Sequence, residues 1–452
     1  MNRSVYVGIL LVTALHAFDE LVLIVALPTI APQLNADLQY GLIIASYVLA
    51  SIVGMSWAGE RIDRDGPQRV LRVAVVTFLA GLLLAAVAWD GLSFVAGRIL
   101  QGLGGGMGWT LTFGLISLLC TPQQQPRALA GMDVAWVLPS LMAPLVGGLL
   151  VDLLHWRWVF LVQVPLSLLT LFLIDRRIAG LEGRRGDAKQ GVILPSLLIA
   201  GGTGLFLYTL SKPPGLWWCL GVVALLLILR PLQVFLPAAW WRLDRSLGVC
   251  LVMIFLAFSG FYIAESFQPL YLVQSRGFSS LQAGLALSCA SIAWMVGSQA
   301  AARGWLYRDY RSRLRLGFGL MCFGLAGLAW VLYGAGGILA CYVVWLTIGL
   351  GMGICFNTCR VEAMRATGSG EEGLVGATVN LSISLGLSVA TGVGGALLNR
   401  ADRAGDGVVT AIEHIWMTSL GICSVALILL FALSVSRPGR AEQAAPRPSA
   451  DN

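Results

Sequence analysis

Six ionisable side chains stand where the sequence is otherwise apolar. His16, Asp19 and Glu20 lie in the run HAFDELVLIVALP, Arg98 in GRILQGLGGGMG, Asp133 in GMDVAWVLP and Glu265 in YIAESFQPLYL. At helical spacing His16 and Glu20, four residues apart, share a face with Asp19 beside it. Two adjacent carboxylates in a low-dielectric site are groups fit to take up and release a proton. Arg98 keeps its proton in practice, so it needs an acceptor, and an acid of the first apolar run is the natural one. Asp133 lies about two turns into its helix, toward water at that end. Other chemistries fail on motif. Gly102, Gly104, Gly105, Gly106 and Gly108 look like a dinucleotide fingerprint, but no strand precedes them, and they lack the Gly-Lys-Ser/Thr ending of a P-loop. No HExxH or GxSxG pattern occurs, so the sequence does not read as an enzyme and implies no cofactor. The nine cysteines show no metal or disulfide spacing and read as core thiols.

The elements that must position these residues follow from composition. The chain has 452 residues, 57% hydrophobic and 12% charged, with a mean hydropathy of +0.81. A soluble domain is about a quarter charged, and so few ionisable groups cannot cover a water-exposed surface of this size. Soluble enzymes and disordered chains are excluded. The net charge of +7 is spread over many short loops, which excludes nucleic acid as a partner. The class is an all-α polytopic membrane protein whose solvent is the lipid bilayer. Fourteen runs are long enough to span: roughly 5–30, 40–59, 70–89, 92–119, 127–153, 156–174, 191–210, 215–231, 247–273, 281–302, 314–333, 337–359, 371–398 and 414–435. The first run is too long for a cleaved signal segment. With the N-terminus in the cytoplasm, 24 of the 30 basic residues fall on inside segments and five on outside loops. The positive-inside bias therefore predicts both termini inside. A charge at a helix centre costs about 2.5–3.5 kcal/mol, so each of the six residues needs a partner, water or a role.

The spans divide into two similar halves with an insert. Residues 1–174 form the expected N-terminal six-helix bundle and 247–435 the C-terminal one. Residues 175–246 hold a basic cytoplasmic linker and the inserted spans 7 and 8, and 436–452 read as a disordered cytoplasmic tail. Such repeats are common in secondary transporters, with the binding site between the halves near the bilayer midplane.

The residues also carry a family pattern. The chain resembles the major facilitator superfamily over nearly its whole length, and within it the fourteen-helix drug:proton antiporters. Residues 18–30, FDELVLIVALPTI, look like that group's first-helix motif, with Asp19 on its acidic position. Residues 59–71, GERIDRDGPQRVL, are similar to the superfamily's loop between helices 2 and 3, with Gly59, Asp63, Arg64, Gly66 and Leu71 in register. Residues 98–106, RILQGLGGG, resemble the fourth-helix motif, with Arg98 on its arginine. Residues 139–148, PSLMAPLVGG, resemble the fifth-helix antiporter motif at Pro144, Gly147 and Gly148; Pro139 and Ala143 depart from it. The phrase HWRWVFLVQVP, residues 155–165, is also typical of the fourteen-helix group.

The resemblance implies a major facilitator fold and proton-coupled antiport by alternating access. It implies that Asp63 meets the start of span 13, where Glu371 and Glu372 would oppose it but suit Arg64, so a mixed charge cluster closes the cytoplasmic side. It implies that the fifth helix seals the site against proton leak. His16, Asp19, Glu20, Arg98, Asp133 and Glu265 are the expected proton-coupling and cavity residues. Trp109, Trp136, Phe261, Tyr262, Phe267 and Trp294 lie in spans of the two bundles, where facing the lipid is the default for an aromatic and some are candidates for the cavity wall. The expected substrate is a lipophilic or amphipathic organic compound, exported by a monomer in a bacterial-type plasma membrane. Proton-coupled uptake by symport, or export of a lipid or metabolite, uses the same fold and acids and stays open at this point.

Overall fold

In hydrocarbon every backbone N–H and C=O must be satisfied within the chain, and a helix does this locally. The computed structural model of the chain describes residues 2–36, 39–121, 124–181, 191–210, 212, 215, 217–235, 246–307, 309–332, 337–365 and 372–435. The described residues are helical almost throughout. The elements are α1 (Arg3–Gln33), α2 (Tyr40–Asp65), α3 (Pro67–Ala86), α4 (Gly91–Leu119), α5 (Gln125–Leu153), α6 (Trp158–Leu161), α7 (Gln163–Ile174), α8 (Ile193–Leu210), α9 (Trp217–Phe235), α10 (Ser246–Leu270), α11 (Ser280–Ala302), α12 (Tyr310–Leu332), α13 (Ile338–Arg365), α14 (Glu372–Ala404) and α15 (Gly407–Val435). Among the described residues thirteen spans are long and apolar enough to cross a membrane, and the apolar stretch Cys219–Val234 of α9 is a shorter fourteenth. Among the described residues each of the fourteen expected spans falls on helix, the sixth on two.

Local chemistry sets several helix ends. The Asn2 side chain accepts from Ser4 N at 2.9 Å and caps α1. Asp90 with Ser93, and Ser279 with Gln282, form reciprocal capping boxes at α4 and α11. Asp90 lies in the loop before α4, and its hydrogen bonds with Ser93 hold its carboxyl below the usual carboxylate range. Gly66, at φ +83°, makes the turn between α2 and α3 that a side chain would strain, and Pro67 starts α3. The sixth span, expected as one helix, is broken at Val162 into α6 and α7. Pro165 has no N–H to return to the Leu161 carbonyl one turn earlier, which removes the helical bond at that point.

The glycine-rich run of α4 is a packing surface. A Cβ at Gly102 would fall on the carbonyl oxygen of Tyr47, and one at Gly106 on that of Ser51. Gly54 meets Leu103 in the same way from the α2 side. On the other flank Gly81, Gly97 and Gly104 bring α3 against α4. Small residues at such seams let two backbones approach where no hydrophobic effect drives association.

The helices α1–α7 meet α10–α15 at the end of the spans opposite the one where α1 begins. There Gly41 faces Gly395, each so close that a Cβ on Gly41 would lie 2.7 Å from the partner's Cα. Tyr40 packs on Phe267 at 5.3 Å. Gln274 Nε2 donates to Pro28 O at 3.3 Å, and the carboxylate of Asp152 accepts from Ser280 N and Leu281 N at 3.3 and 3.1 Å. Ser288 Oγ donates to Leu141 O at 3.1 Å. Gly148 lies against Leu281, and Gly284 against the Pro144 carbonyl.

The inserted helices are not equal partners. Helix α8 packs on both α2 and α14, with Leu207 against Leu49 and over Gly392. Its start is held by Glu60, which accepts from Gly191 N at 2.8 Å and Val192 N at 2.7 Å. Helix α9 packs chiefly on α8 and presents Val222, Leu226 and Leu229 outward. Replacing Gly102 by alanine is expected to push α4 off α2 and cost about 1–3 kcal/mol, the usual penalty of overpacking. Thermal unfolding of the purified protein in detergent checks this, as a Tm several degrees below wild type.

Candidate functional site

Asp19 sits near the middle of α1 and is wholly buried, and Arg98 of α4 is 1% exposed. Arg98 Nη1 donates to Asp19 Oδ2 at 2.8 Å and to Gln101 Oε1 at 3.0 Å. Gln101 Nε2 donates to Asp19 Oδ1 at 3.0 Å, and Gln163 Nε2 of α7 donates to the same oxygen at 3.2 Å. The carboxylate is thus held by one cation and two amides from two further helices. The Arg98 guanidinium also lies over the Tyr47 ring of α2, 4.4 Å from its centre. Two polar atoms of the cluster keep no protein partner: Arg98 Nε and Gln163 Oε1.

His16, one turn before Asp19, faces a different set of groups. Its Nδ1 shares a 2.6 Å hydrogen bond with the Tyr47 hydroxyl. The ring stacks on Trp109 at 5.5 Å and meets the edge of Trp136 at 5.7 Å. Gly105 leaves room for this arrangement, because a Cβ there would lie 2.7 Å from the Tyr47 oxygen. Tyr47 therefore joins the histidine to the Arg98 cluster.

Glu20 lies close enough to Arg98 and Asp19 for their charges to interact. Glu20 is half-buried and close enough to Glu265 for their charges to interact, with Tyr262 within range of both. Glu265 is 3% exposed, and its Oε2 has no hydrogen-bond partner. Phe258, Tyr262 and Glu265 recur at helical spacing on one face of α10, and Phe258 stacks on Tyr262 at 5.5 Å. Trp294 and Phe356 complete an aromatic group around Phe258. Phe261 belongs to the same group through Trp294, while Phe267 packs on Tyr40 where α2 meets α10.

The structure thus brings together Asp19 and Arg98, sets His16 beside them, and leaves Glu20 within charge range of both that pair and Glu265. Asp133 lies two turns into α5, but its side chain is outside the described residues. So are the side chains of Asp63, Glu371 and Glu372, and with them the expected mixed charge cluster. Arg64 is exposed, and no atom lies within 4 Å of a Cβ built at Gly59. The described part of that loop ties back within the first seven helices. Arg72 pairs with Asp175 at 2.7 and 3.0 Å, and Asp65 with Arg61 and Arg69 at 3.0 and 3.3 Å. In the fifth-helix motif Gly147 faces Val22 of α1 and Gly148 faces α11, so the two glycines serve two different seams. Six of the nine cysteines are buried core thiols as expected; Cys219 is exposed on α9, and Cys289 and Cys322 are partly exposed. Sequence reasoning passed over Tyr47, Gln101 and Gln163. Gln101 carried a signal, since it stands three residues from Arg98 on the same helix face.

A chain with this set of spans and a charged cluster at mid-span is a membrane transporter. Its fold is that of a solved D-xylose–proton symporter, with a TM-score of 0.66, 14% identity, and 95% of this chain and 97% of that chain covered. The family model of the Major Facilitator Superfamily matches residues 9–391, and the chain belongs to that superfamily. It is 23% identical over 413 residues to multidrug resistance protein 3 of Bacillus subtilis, covering 88% of this chain and 79% of that protein. It is 25% identical over 435 residues to a protein of Mycobacterium tuberculosis named "probable multidrug-efflux transporter", covering 92% and 91%.

Removing one partner of a buried ion pair strands the other charge and costs about 3–5 kcal/mol. Arg98→Ala and Asp19→Asn are each expected to lower the Tm. The double variant Asp19→Asn/Arg98→Gln is expected to recover part of the loss. A double-mutant cycle on thermal unfolding measures the coupling; additive losses would mean that the pair does not form.

Proposed function

We propose that the protein is a proton-coupled antiporter that exports lipophilic or amphipathic organic compounds, cations foremost. The observation that carries this reading is the wholly buried Asp19 held by Arg98, with two further acids, Glu20 and Glu265, from opposite halves within charge range of each other. Multidrug efflux is named for relatives that cover nearly the whole chain, which supports the outward direction. The positive-inside bias puts the end where α1 begins in the cytoplasm. With the opposite end tied by Gly41–Gly395, Tyr40–Phe267 and the Asp152 hydrogen bonds, the outer side is the closed one on this reading.

The mechanism follows from charge. While Asp19 is ionised, Arg98 is neutralised and the first, fourth and seventh helices are drawn together. A proton on Asp19 cancels that attraction and leaves Arg98 to Gln101 and the Tyr47 ring. The helices then have a different arrangement of lowest energy, and α1 is the helix that also carries Glu20. A cation bound between Glu20 and Glu265, against Phe258, Tyr262, Trp109 and Trp136, would interact with the same helix from the other side. Proton and substrate need not touch; each biases α1. Rocking of two six-helix bundles, residues 1–174 and 247–435, about this centre is the motion expected of alternating access. The protein acts as a monomer in a bacterial-type plasma membrane on this reading, with no cofactor.

Reconstituted liposomes with an imposed pH gradient test it. Addition of a lipophilic cation is expected to evoke proton movement by the wild type, and Asp19→Asn is expected to abolish it. Retention of full coupling in Asp19→Asn would remove Asp19 from the proton path, and co-directional movement of proton and cation would identify a symporter. Glu265→Gln is expected to weaken binding of a monovalent lipophilic cation about tenfold, read by tryptophan quenching, with a smaller effect on a neutral amphiphile.

A further inference from the structure

The hydrogen-bond partners of the Asp19 carboxylate are all donors. Arg98 Nη1 holds Oδ2 at 2.8 Å, and the amide nitrogens of Gln101 and Gln163 hold Oδ1 at 3.0 and 3.2 Å. That set fits an ionised carboxylate, which only accepts. A proton on the group turns it into a donor, and a buried O–H is costly without an acceptor. Asp19 is wholly buried. The acceptor for its proton must therefore come from a neighbour that can present a different atom to the same place.

The neighbours differ in that ability. Arg98 carries donors only. Gln101 is fixed by Arg98 itself, because its Oε1 accepts from Nη1 at 3.0 Å, and turning the amide over would set its nitrogen against the guanidinium. The Tyr47 hydroxyl is engaged with His16 Nδ1 at 2.6 Å, and it is the Tyr47 ring that lies against Arg98. Glu20 acts on Asp19 by charge from their shared helix. Gln163 is left. It is wholly buried, and its Nε2 is shared between Asp19 Oδ1 and Val159 O, at 3.2 and 3.1 Å. Its Oε1 has no protein partner. Buried amide oxygens are normally bonded, so an unpartnered one beside a protonatable acid asks for a reason. Nor is the nitrogen stranded if it gives up Asp19, since Val159 O remains its acceptor.

We propose that Gln163 is the positioning residue for the proton on Asp19: when Oδ1 is protonated, the Gln163 amide turns so that Oε1 replaces Nε2 opposite it and accepts the new O–H. The inference rests on the reading of Asp19 as the proton-exchanging group. One side chain then serves both states of the acid, as donor to the carboxylate and as acceptor from the carboxyl. The one covalent change is the O–H bond of Asp19; the amide keeps all its protons. Arg98 stays with Gln101 and the Tyr47 ring, and Gln163 Nε2 stays with Val159 O. The neutral acid is thus satisfied by the protein alone and needs no water to hold its proton. Gln163 opens α7 immediately after the break at Val162, and Val159 belongs to α6. The turn of the amide therefore happens at the joint of the sixth span.

Infrared difference spectra of the full chain in liposomes, recorded on acidification, test this, because a C=O stretch falls in wavenumber when its group enters a hydrogen bond. The protein carries glutamine isotope-labelled at the side-chain carbonyl. The wild type is expected to gain a protonated-carboxyl band that is missing in Asp19→Asn. With it, a labelled glutamine band is expected to move to lower wavenumber, and this shift too is missing in Asp19→Asn. In Gln163→Leu the glutamine shift is expected to vanish and the Asp19 carboxyl band to move to higher wavenumber, its O–H having lost its acceptor. An Asp19 band in the wild type with no glutamine shift overturns the proposal, and that comparison does not depend on Gln163→Leu folding. A glutamine shift that persists in Gln163→Leu, or an Asp19 band at the same wavenumber in Gln163→Leu and wild type, also overturns it. If acidification produces no carboxyl band that Asp19→Asn removes, the reading of Asp19 as the proton-exchanging group fails, and this inference with it.

Discussion

A guanidinium that cannot discard its proton, placed inside a helix bundle in lipid, constrains everything near it. Arg98 must be given an acceptor at mid-membrane, and Asp19 is that acceptor at 2.8 Å. The pair in turn needs its remaining hydrogen-bonding capacity met, because taking two charges out of water is repaid only in good geometry with further bonds. Gln101 and Gln163 supply hydrogen bonds from two helices and the Tyr47 ring a cation–π contact from a third, leaving Arg98 Nε without a protein partner. An uncompensated charge would be costly enough to shift the packing of α1, α4 and α7. On the proposed reading, that is why a single proton is an effective lever at this place.

The lever works only if the helices are close. Gly102, Gly105 and Gly106 bring the α4 backbone onto α2 and leave room for the hydrogen bond between Tyr47 and His16. Gly97 and Gly104 do the same toward α3. Two aromatic groups form, one around His16 on the side of α1, α4 and α5 and one around Phe258 on the side of α10, α11 and α13. The protein therefore contains one acid, Asp19, satisfied deep among the first seven helices, and another, Glu265, with an unpartnered oxygen on α10.

Much of this was legible in the sequence, for identifiable reasons. The fourteen spans were legible because apolar length is a strong signal once water is absent. The partnership of Arg98 with an acid of α1 was legible because arginine has no neutral form to retreat to. Choosing Asp19 over Glu20 needed the structure, since adjacent residues on a helix point to different neighbours. Gln101 and Gln163 were passed over because a neutral amide raises no alarm in a hydropathy profile, and Gln163 lies 144 residues from its acceptor. The break at Val162 was written in Pro165. Close approaches such as Gly41 on Gly395 join segments remote in sequence and leave no local trace.

The inserted hairpin gives the molecule a front and a back. Two seams separate the first seven helices from the last six, α2 against α14 and α5 against α11. Helix α8 lies across the first, fastened to α2 by Glu60 and filling the notch at Gly392 with Leu207. Nothing comparable covers the second among the described residues, where Val134 and Leu138 of α5 and Ile292 and Val296 of α11 face outward. A protein without the hairpin would offer the membrane two equivalent flanks. This one is shuttered on one flank, so a compound dissolved in the bilayer meets a bare seam from a single direction.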